Sequence, residues 1–369
     1  FQFRGRDKRA RPRRPECFFC RIPPRAPAFE GILGLIACLA TGSIASTPAG
    51  APTNPRFTGT PFLRTWNSDD YGAAPVNWHI VQHPQTGFIY VGNNFGVLEF
   101  DGTAWRLYPM PGEGPVRAVA LDRDGVIWLG GLNEVATLQP NARGQFEAVA
   151  VTQRLGVDDR KFGNATHQLA TPAAVYFAAG RRLLRFGFNG AAQSLLARGP
   201  ISGLWWHEGA LHLALGTVGF HRLIGDDIVP VSGSAGEPSV PVTPSRPVLA
   251  ARADEAGTIL LTSRGPMRWR GGQSPLQPLS AESAAWFNEE PATAAAFLPD
   301  GGFVFGFLRR GVHVFTAAGR SVQQLDEAHG LPANRIEELA ADAEGGLWVA
   351  QRSGLTRLQW DSRYAVHGS

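Results

Sequence analysis

One block of sequence recurs seven times along this chain, and that repetition limits the fold more than any single residue does. The clearest copy is residues 330–359, GLPANRIEELAADAEGGLWVAQRSGLTRLQ. Ile336 and Leu339, with alanines around them, form a short apolar strand, and the polar run from Asp342 to Gly346 turns the chain. Leu347-Trp348-Val349 makes a second strand, Arg352-Ser353-Gly354 a second turn, and residues 355–358 an alternating third strand. Residues 116–138 repeat the pattern, with Asp122 to Gly125 as the turn and Ile127-Trp128-Leu129 as the second strand. Residues 76–100 repeat it again, with Gly96-Val97-Leu98 opening the third strand. Weaker copies begin near Ala165, Ile201, Val248 and Ala292. Their second strands carry Val175-Tyr176-Phe177, Leu211-His212-Leu213, Ile259-Leu260-Leu261 and Phe303-Val304-Phe305. A spacing of roughly 36 to 48 residues is the range of propeller blades. The expected fold is all-β: a seven-bladed β-propeller.

A propeller must close its ring. The early copies have a fourth strand, around residues 105–109 and 145–149, whereas the seventh stops after its third. Residues 62–66 (FLRTW) form a short strand before the first complete copy, and are expected to pair with the last blade and remove both free edges.

The order of apolar strand, Asp-x-x-Gly, apolar-Trp-Val-Gly/Ala and then Gly-Leu/Val resembles the two-component regulator propeller repeat. Gly330-Leu331-Pro332 followed by Asn334 is similar to that family's blade junction, and Tyr71-Gly72 through Trp78 to the start of its first blade. The resemblance covers residues 61–360; it is strong in copies one, two and seven and degenerate in the others. It implies the extracytoplasmic ligand-sensing domain of a bacterial hybrid histidine kinase or a membrane-bound diguanylate cyclase. It also implies that a complete protein continues beyond Ser369 into a membrane helix and an output domain, and that such receptors dimerise.

The chain has 369 residues, of which residues 1–51 read as a basic leader and signal peptide, 52–60 as a linker, 61–360 as the propeller and 361–369 as a tail or the start of a continuation. The formal charge of +4 is a property of the leader. Residues 1–30 hold nine Lys/Arg against three acids, so the remainder is net −2 and makes no case for nucleic acid. After the basic stretch, an apolar run over residues 31–45 is too short to span a bilayer, and Ser43-Ile44-Ala45 and Ala49-Gly50-Ala51 both fit a cleavage pattern. Leu35-Ile36-Ala37-Cys38 also fits a lipoprotein box. All three cysteines, Cys17, Cys20 and Cys38, lie in this leader, and Cys17-x-x-Cys20 lacks the second pair that a zinc site needs. Export to the periplasm is the expected destination, with membrane attachment only through a downstream helix.

Catalytic signatures are missing from the sequence: no H-E-x-x-H, no G-x-S-x-G elbow and no phosphate-binding glycine loop. His79 and His83 are four apart, but on a strand, and His207, His212 and His221 are dispersed over one copy as core or surface filling. Paired acids (Asp69-Asp70, Asp158-Asp159, Asp226-Asp227, Glu289-Glu290) sit in turns, where Asp bonds the local backbone. No catalytic residue, metal or cofactor is assigned. Trp128 and Trp348 are expected in the core between blades.

Ligand binding fits better. In this strand order, the segments entering each first strand and the turns between second and third strands gather on one face around the channel. Those positions hold Asn77, Trp78, Asn93, Asn94, Arg117, Arg264, Arg309, Arg310, Arg335 and Arg352, with Asn133, Asn164 and Arg181 nearby. Converging guanidinium forks suit carboxylate or sulfate groups, and Trp78 and Phe95 suit sugar rings. Against this stands composition: the chain has only Lys8 and Lys161 beside 33 arginines, so arginine in a polar turn carries little information by itself. Residues 156–163, 232–247 and 274–291 are long loops of the kind that carry binding. The expected partner is a small-molecule or oligosaccharide ligand, anionic, at the channel mouth. The alternatives are a stand-alone periplasmic binding or scaffold propeller, and a propeller polysaccharide lyase or glycosidase.

Overall fold

A computed structural model describes residues 61–216, 218–231, 247–272 and 275–359. The leader, the linker, the tail and almost all of loop 232–247 lie outside these residues. Seven four-stranded antiparallel sheets follow one another in chain order. Blade 1 runs from its inner strand Asn77–Gln82 to its outer strand Trp105–Tyr108, and blade 2 from Val116–Leu121 to Phe146–Ala150. Blades 3 to 6 have the inner strands His167–Ala170, Ile201–His207, Val248–Asp254 and Ala294–Phe297. Blade 7 has Ile336–Ala341, Gly346–Gln351 and Gly354–Gln359, and its outer strand is Phe62–Trp66. The register there runs from Phe62 opposite Gln359 to Trp66 opposite Leu355. Each inner strand touches the next and the last touches the first, so the ring is closed.

The repeat motif has a physical reading. Asp122 Oδ1 accepts from the Asp124 and Val126 amides while its Oδ2 takes the Trp128 indole N–H at 2.9 Å. Asp342 does the same in blade 7, bonding the Gly346 amide and the Trp348 indole, and adds Arg357 Nε at 2.6 Å. The turn carboxylate therefore also satisfies the buried tryptophan on the strand that follows it. The small residue after each Trp-apolar pair is set by the next blade. A Cβ on Gly130 would stand 2.7 Å from Phe177, and one on Gly306 would stand 2.4 Å from Ile336.

Each of the seven blade interfaces holds its own apolar cluster. Trp348 lies between blades 7 and 1 and Trp128 between blades 2 and 3, both buried. His207, His212 and His221 are all buried, and the first two pack against Trp269, with Trp205 and Phe220 beside them, where blades 4 and 5 meet. Two of the expected loops contain helix. Residues 156–163 include the 3-10 turn Val157–Asp159, and residues 274–291 include the helix Ala281–Trp286. Asp69 and Asp70 likewise open a short helix capped by Asn67 rather than a simple turn. Among the described residues, no helix is long and apolar enough to cross a membrane.

Candidate functional site

At one face, the turn between the second and third strands of a blade is tied to the segment entering the next blade. Ala165 N donates to Gly131 O, Ile201 N to Gly180 O, Ala292 N to Ser263 O and Ile336 N to Phe307 O. Here the channel opens as a cavity of about 360 Å³ lined by all seven inner strands. Its side chains are Trp78 and His79 from blade 1, Arg117 from blade 2, and Thr166, His167 and Gln168 at blade 3. Leu204, Val248, Leu249, Thr293, Ala294 and Ala295 line the side of blades 4 to 6, and Glu337 and Glu338 come from blade 7.

A recurring β-bulge aims several of these groups. The inner and second strands slip register between Asn77 and His79, between Val116 and Ala118, between Val248 and Ala250 and between Ile336 and Glu338. The extra residues are Trp78, Arg117, Leu249 and Glu337, all of which line the channel. Blade 4 slips at the same level, between Ile201 and Leu204. A bulge leaves its extra residue unpaired and re-aims it. Strict alternation along the strand would have placed these side chains differently.

The ten sequence-predicted residues fall into four groups rather than one ring. Trp78, Asn94 and Arg117 form a chain on the channel wall: the Trp78 indole donates to Asn94 Oδ1 at 2.7 Å, and the Arg117 guanidinium lies 3.8 Å from the Trp78 ring centre. Asn77 and Asn93 are fully buried and bonded to each other at 2.8 Å, with Asn93 also bonding the Ala74 carbonyl at 2.6 Å. They fix the first-blade segment and face no lumen. Arg335 and Arg352 converge on Glu337 Oε1, at 2.6 and 3.1 Å, and share that one carboxylate. Arg264, Arg309 and Arg310 grip residues 286–290 instead. Arg264 donates to Phe287 O, Arg310 to Trp286 O while stacking on the Trp286 ring at 4.0 Å, and Arg309 sits 3.7 Å from Glu290. Of the six arginines, only Arg117 lines the channel. Nearby, Asn133 bonds the Gly163 amide, Asn164 bridges Leu132 and Arg181 caps Ala197 O.

Sequence inspection missed His79, His167, Gln168, Glu337 and Glu338. In aligned copies, Trp78, Arg117 and Glu337 hold equivalent positions near the start of the first strand, and that shared position was the available signal. These groups touch the lumen but have protein on every other side. Burial therefore pushes the His79 imidazole down to about 4, with neighbouring His167 adding to it, and lowers His167 as well. It pushes the Glu338 carboxyl up to about 8 and lowers Arg117. Arg117 Nε and His79 Nδ1 are buried hydrogen-bonding atoms without a protein partner. Burial thus favours the neutral form of both histidines and of Glu338, and among the described residues Arg117 has no ion-pair partner. No cluster of three or more metal-ligating side chains exists among the described residues.

A larger cleft of about 910 Å³ lies between the outer parts of blades 1 and 2, towards the other face. Its buried carboxylate, Glu99, already accepts from Tyr90, Tyr108 and Arg106. That buried group is already satisfied, whereas the channel holds buried polar atoms without a protein partner, so the channel is the better site despite its smaller volume.

No family model matches the chain, and no curated protein matches its sequence. Among solved structures, it is similar to the extracellular domain of a B. thetaiotaomicron protein described as a one component system, with a TM-score of 0.62 and 14% identity over 83% of this chain. A second structure, described as the extracellular domain of a hybrid two component system from that organism, matches at TM-score 0.59 and 14% identity over 80% of this chain. In both cases the chain spans only 40% of the matched protein. Virginiamycin B lyase from Staphylococcus aureus matches at TM-score 0.59 and 12% identity, over 81% of this chain and 99% of that one. In all, 1002 solved chains match, so likeness identifies the architecture and leaves the ligand to the site itself. The chain is a seven-bladed β-propeller similar in fold to the extracellular domain of a hybrid two component system.

Proposed function

We propose that this propeller is an extracytoplasmic ligand-sensing domain, the input module of a bacterial signalling receptor, and that its ligand enters the channel between the inner strands. The observation that carries this is the wall itself: a closed ring of inner strands whose lumen collects Arg117, His79, His167, Gln168 and Glu338, two of them with unpartnered buried donor or acceptor atoms. Small-molecule sites are concave and fix their ligand with a few convergent polar groups, and this lumen, more polar than apolar in its lining, supplies such groups from several blades. The repeat resemblance and the fold shared with the extracellular domain of a hybrid two component system support the same reading, and the basic leader with its apolar run supports the periplasmic destination; membrane attachment and dimerisation would belong to the parent receptor.

A thermal-shift screen of the purified chain against small metabolites and saccharides tests it. A ligand that binds the folded form raises Tm by mass action, by about 2.7 kcal/mol of stability at a hundredfold excess over Kd. A hit that disappears in Arg117→Ala supports the channel, and a broad panel without any hit would count against a sensing role. One observation favours the lyase or glycosidase alternative: Glu338, with its carboxyl pushed up to about 8, shares the lumen with two histidines, as acid–base groups do. Product formation from acidic polysaccharides, lost in Glu338→Gln, would decide for that alternative.

A further inference from the structure

The channel wall has two unlike halves. Blades 7, 1, 2 and 3 supply Glu337, Glu338, Trp78, His79, Arg117 and His167, whereas blades 4, 5 and 6 supply Leu204, Val248, Leu249, Ala294 and Ala295. The one hydroxyl on the second half, Thr293 Oγ1, is spent on the Ile336 carbonyl at 2.7 Å. An occupant must therefore be polar on one side and apolar on the other, as a pyranose ring is. Charge narrows it further. Glu337 is held through Oε1 by both Arg335 and Arg352, away from Arg117. Among the described residues Arg117 has no carboxylate within ion-pair distance, its Nε is unpartnered, and its guanidinium lies 3.8 Å over the Trp78 ring centre. A planar fork fixed in this way presents the geometry that binds a carboxylate with two hydrogen bonds. The cavity, about 360 Å³, is at the small end of small-molecule sites. It suits one or two sugar units and not a chain.

We infer that the channel binds a compact hydroxylated carboxylate of sugar-acid size, with the carboxylate on Arg117 and the apolar ring face against blades 4 to 6. The inference rests on the sensing role proposed above and narrows it from an anionic ligand at the rim to a small acid in the lumen. The neutral state of Glu338 at pH 7 is consistent with it, because an ionised carboxylate there would repel the ligand.

Isothermal titration calorimetry of the full chain at pH 7 tests this, with D-galacturonate and D-glucuronate against D-galactose and D-glucose, and with the galacturonate hexamer. The expected result is that at least one acid binds at least tenfold more tightly than its neutral counterpart and no less tightly than the hexamer. Arg117→Ala and Arg117→Lys should each lose at least tenfold, the second keeping the charge and removing only the fork. The pair Arg309→Ala and Arg310→Ala together should change affinity by less than twofold. Unchanged affinity in both Arg117 variants, or tighter binding of the hexamer that is lost with Arg309 and Arg310, would overturn the inference and leave the sensing role standing. Absence of binding by either acid, alongside an unrelated hit in the thermal-shift screen, would overturn the inference alone. Absence of any hit would overturn both.

Discussion

Replacing Trp66 by alanine should nearly unfold the ring, although Trp66 belongs to a five-residue strand far in sequence from the blade it completes. Its side chain is 6% exposed and packs in the cluster between blades 7 and 1. The ring stacks on Trp348 with centres 5.1 Å apart and planes 13° from parallel, and meets Phe100 edge-on at 5.2 Å. Truncating a buried tryptophan costs about 3–5 kcal/mol, and each lost aromatic pair adds roughly 0.5–1.5 kcal/mol. A loss of about 4–8 kcal/mol is a large part of the roughly 5–15 kcal/mol that holds a domain folded. Phe62 lies on the same strand but is 60% exposed, so Phe62→Ala should stay within about 0.5 kcal/mol. Urea denaturation of the two variants beside the parent, followed by tryptophan fluorescence and circular dichroism, measures the difference. The expected outcome is a Trp66→Ala midpoint far below the parent and a Phe62→Ala midpoint on top of it. Two variants with the same midpoint would refute the idea that this strand locks the ring.

Other outcomes follow from particular groups. His212 and His313 are buried with imidazoles pushed down to about 4 by desolvation. Their folded values lie below the ordinary 6.5, so their contribution is present above that pH and is lost as pH falls towards 4. By linkage, each is worth on the order of 2–3 kcal/mol, and a urea midpoint that does not fall between pH 7 and pH 5 would contradict this. Glu338 acts in the opposite sense, since its folded value of about 8 lies above the ordinary 4.5. Its contribution is present below 4.5 and is lost as pH rises through 8, in a lumen it shares with His79, His167, Arg117 and the paired Glu337. Glu338→Gln should therefore flatten the decline in stability between pH 6 and 9, and an unchanged slope would count against a buried, neutral carboxyl. Asp342→Asn strands Arg357 and weakens three hydrogen bonds in the core, at about 3–5 kcal/mol. Asp122→Asn, which lacks that arginine, should cost about 1–2 kcal/mol; equal losses in the two would argue against the ion pair. Gly306→Ala places a methyl 2.4 Å from Ile336 Cγ2 and should cost about 1–3 kcal/mol, read as a drop in Tm.

The fold was legible because its signal is local and repeated. A tryptophan, its turn aspartate and the small residue beside them are set by contacts that every blade must make, so their spacing appears in sequence. The site was legible only in part. Trp78, Asn94 and Arg117 were among the expected residues and do meet, because the topology puts strand starts and second turns at one face. The other arginines were misread as a converging ring because sequence does not show their carboxylate and carbonyl partners: Glu290 for Arg309, Trp286 O for Arg310. Asn77 and Asn93 looked free and are buried. Glu337 and Glu338 were missed because a bulge between Ile336 and Glu338 breaks the alternation from which strand faces are read. His207 and His212 of blade 4 converge with Trp269 of blade 5 only once the blades pack.

The central claim is that the lumen, and not the rim, receives the ligand. The most direct test is a crystal structure of the chain soaked with D-galacturonate or D-glucuronate. The account expects one sugar ring between the inner strands, with its carboxylate oxygens within about 3 Å of the Arg117 guanidinium and its apolar face towards Leu204 and Leu249. A sugar seated instead on Arg309 and Arg310, with an empty lumen, would contradict it.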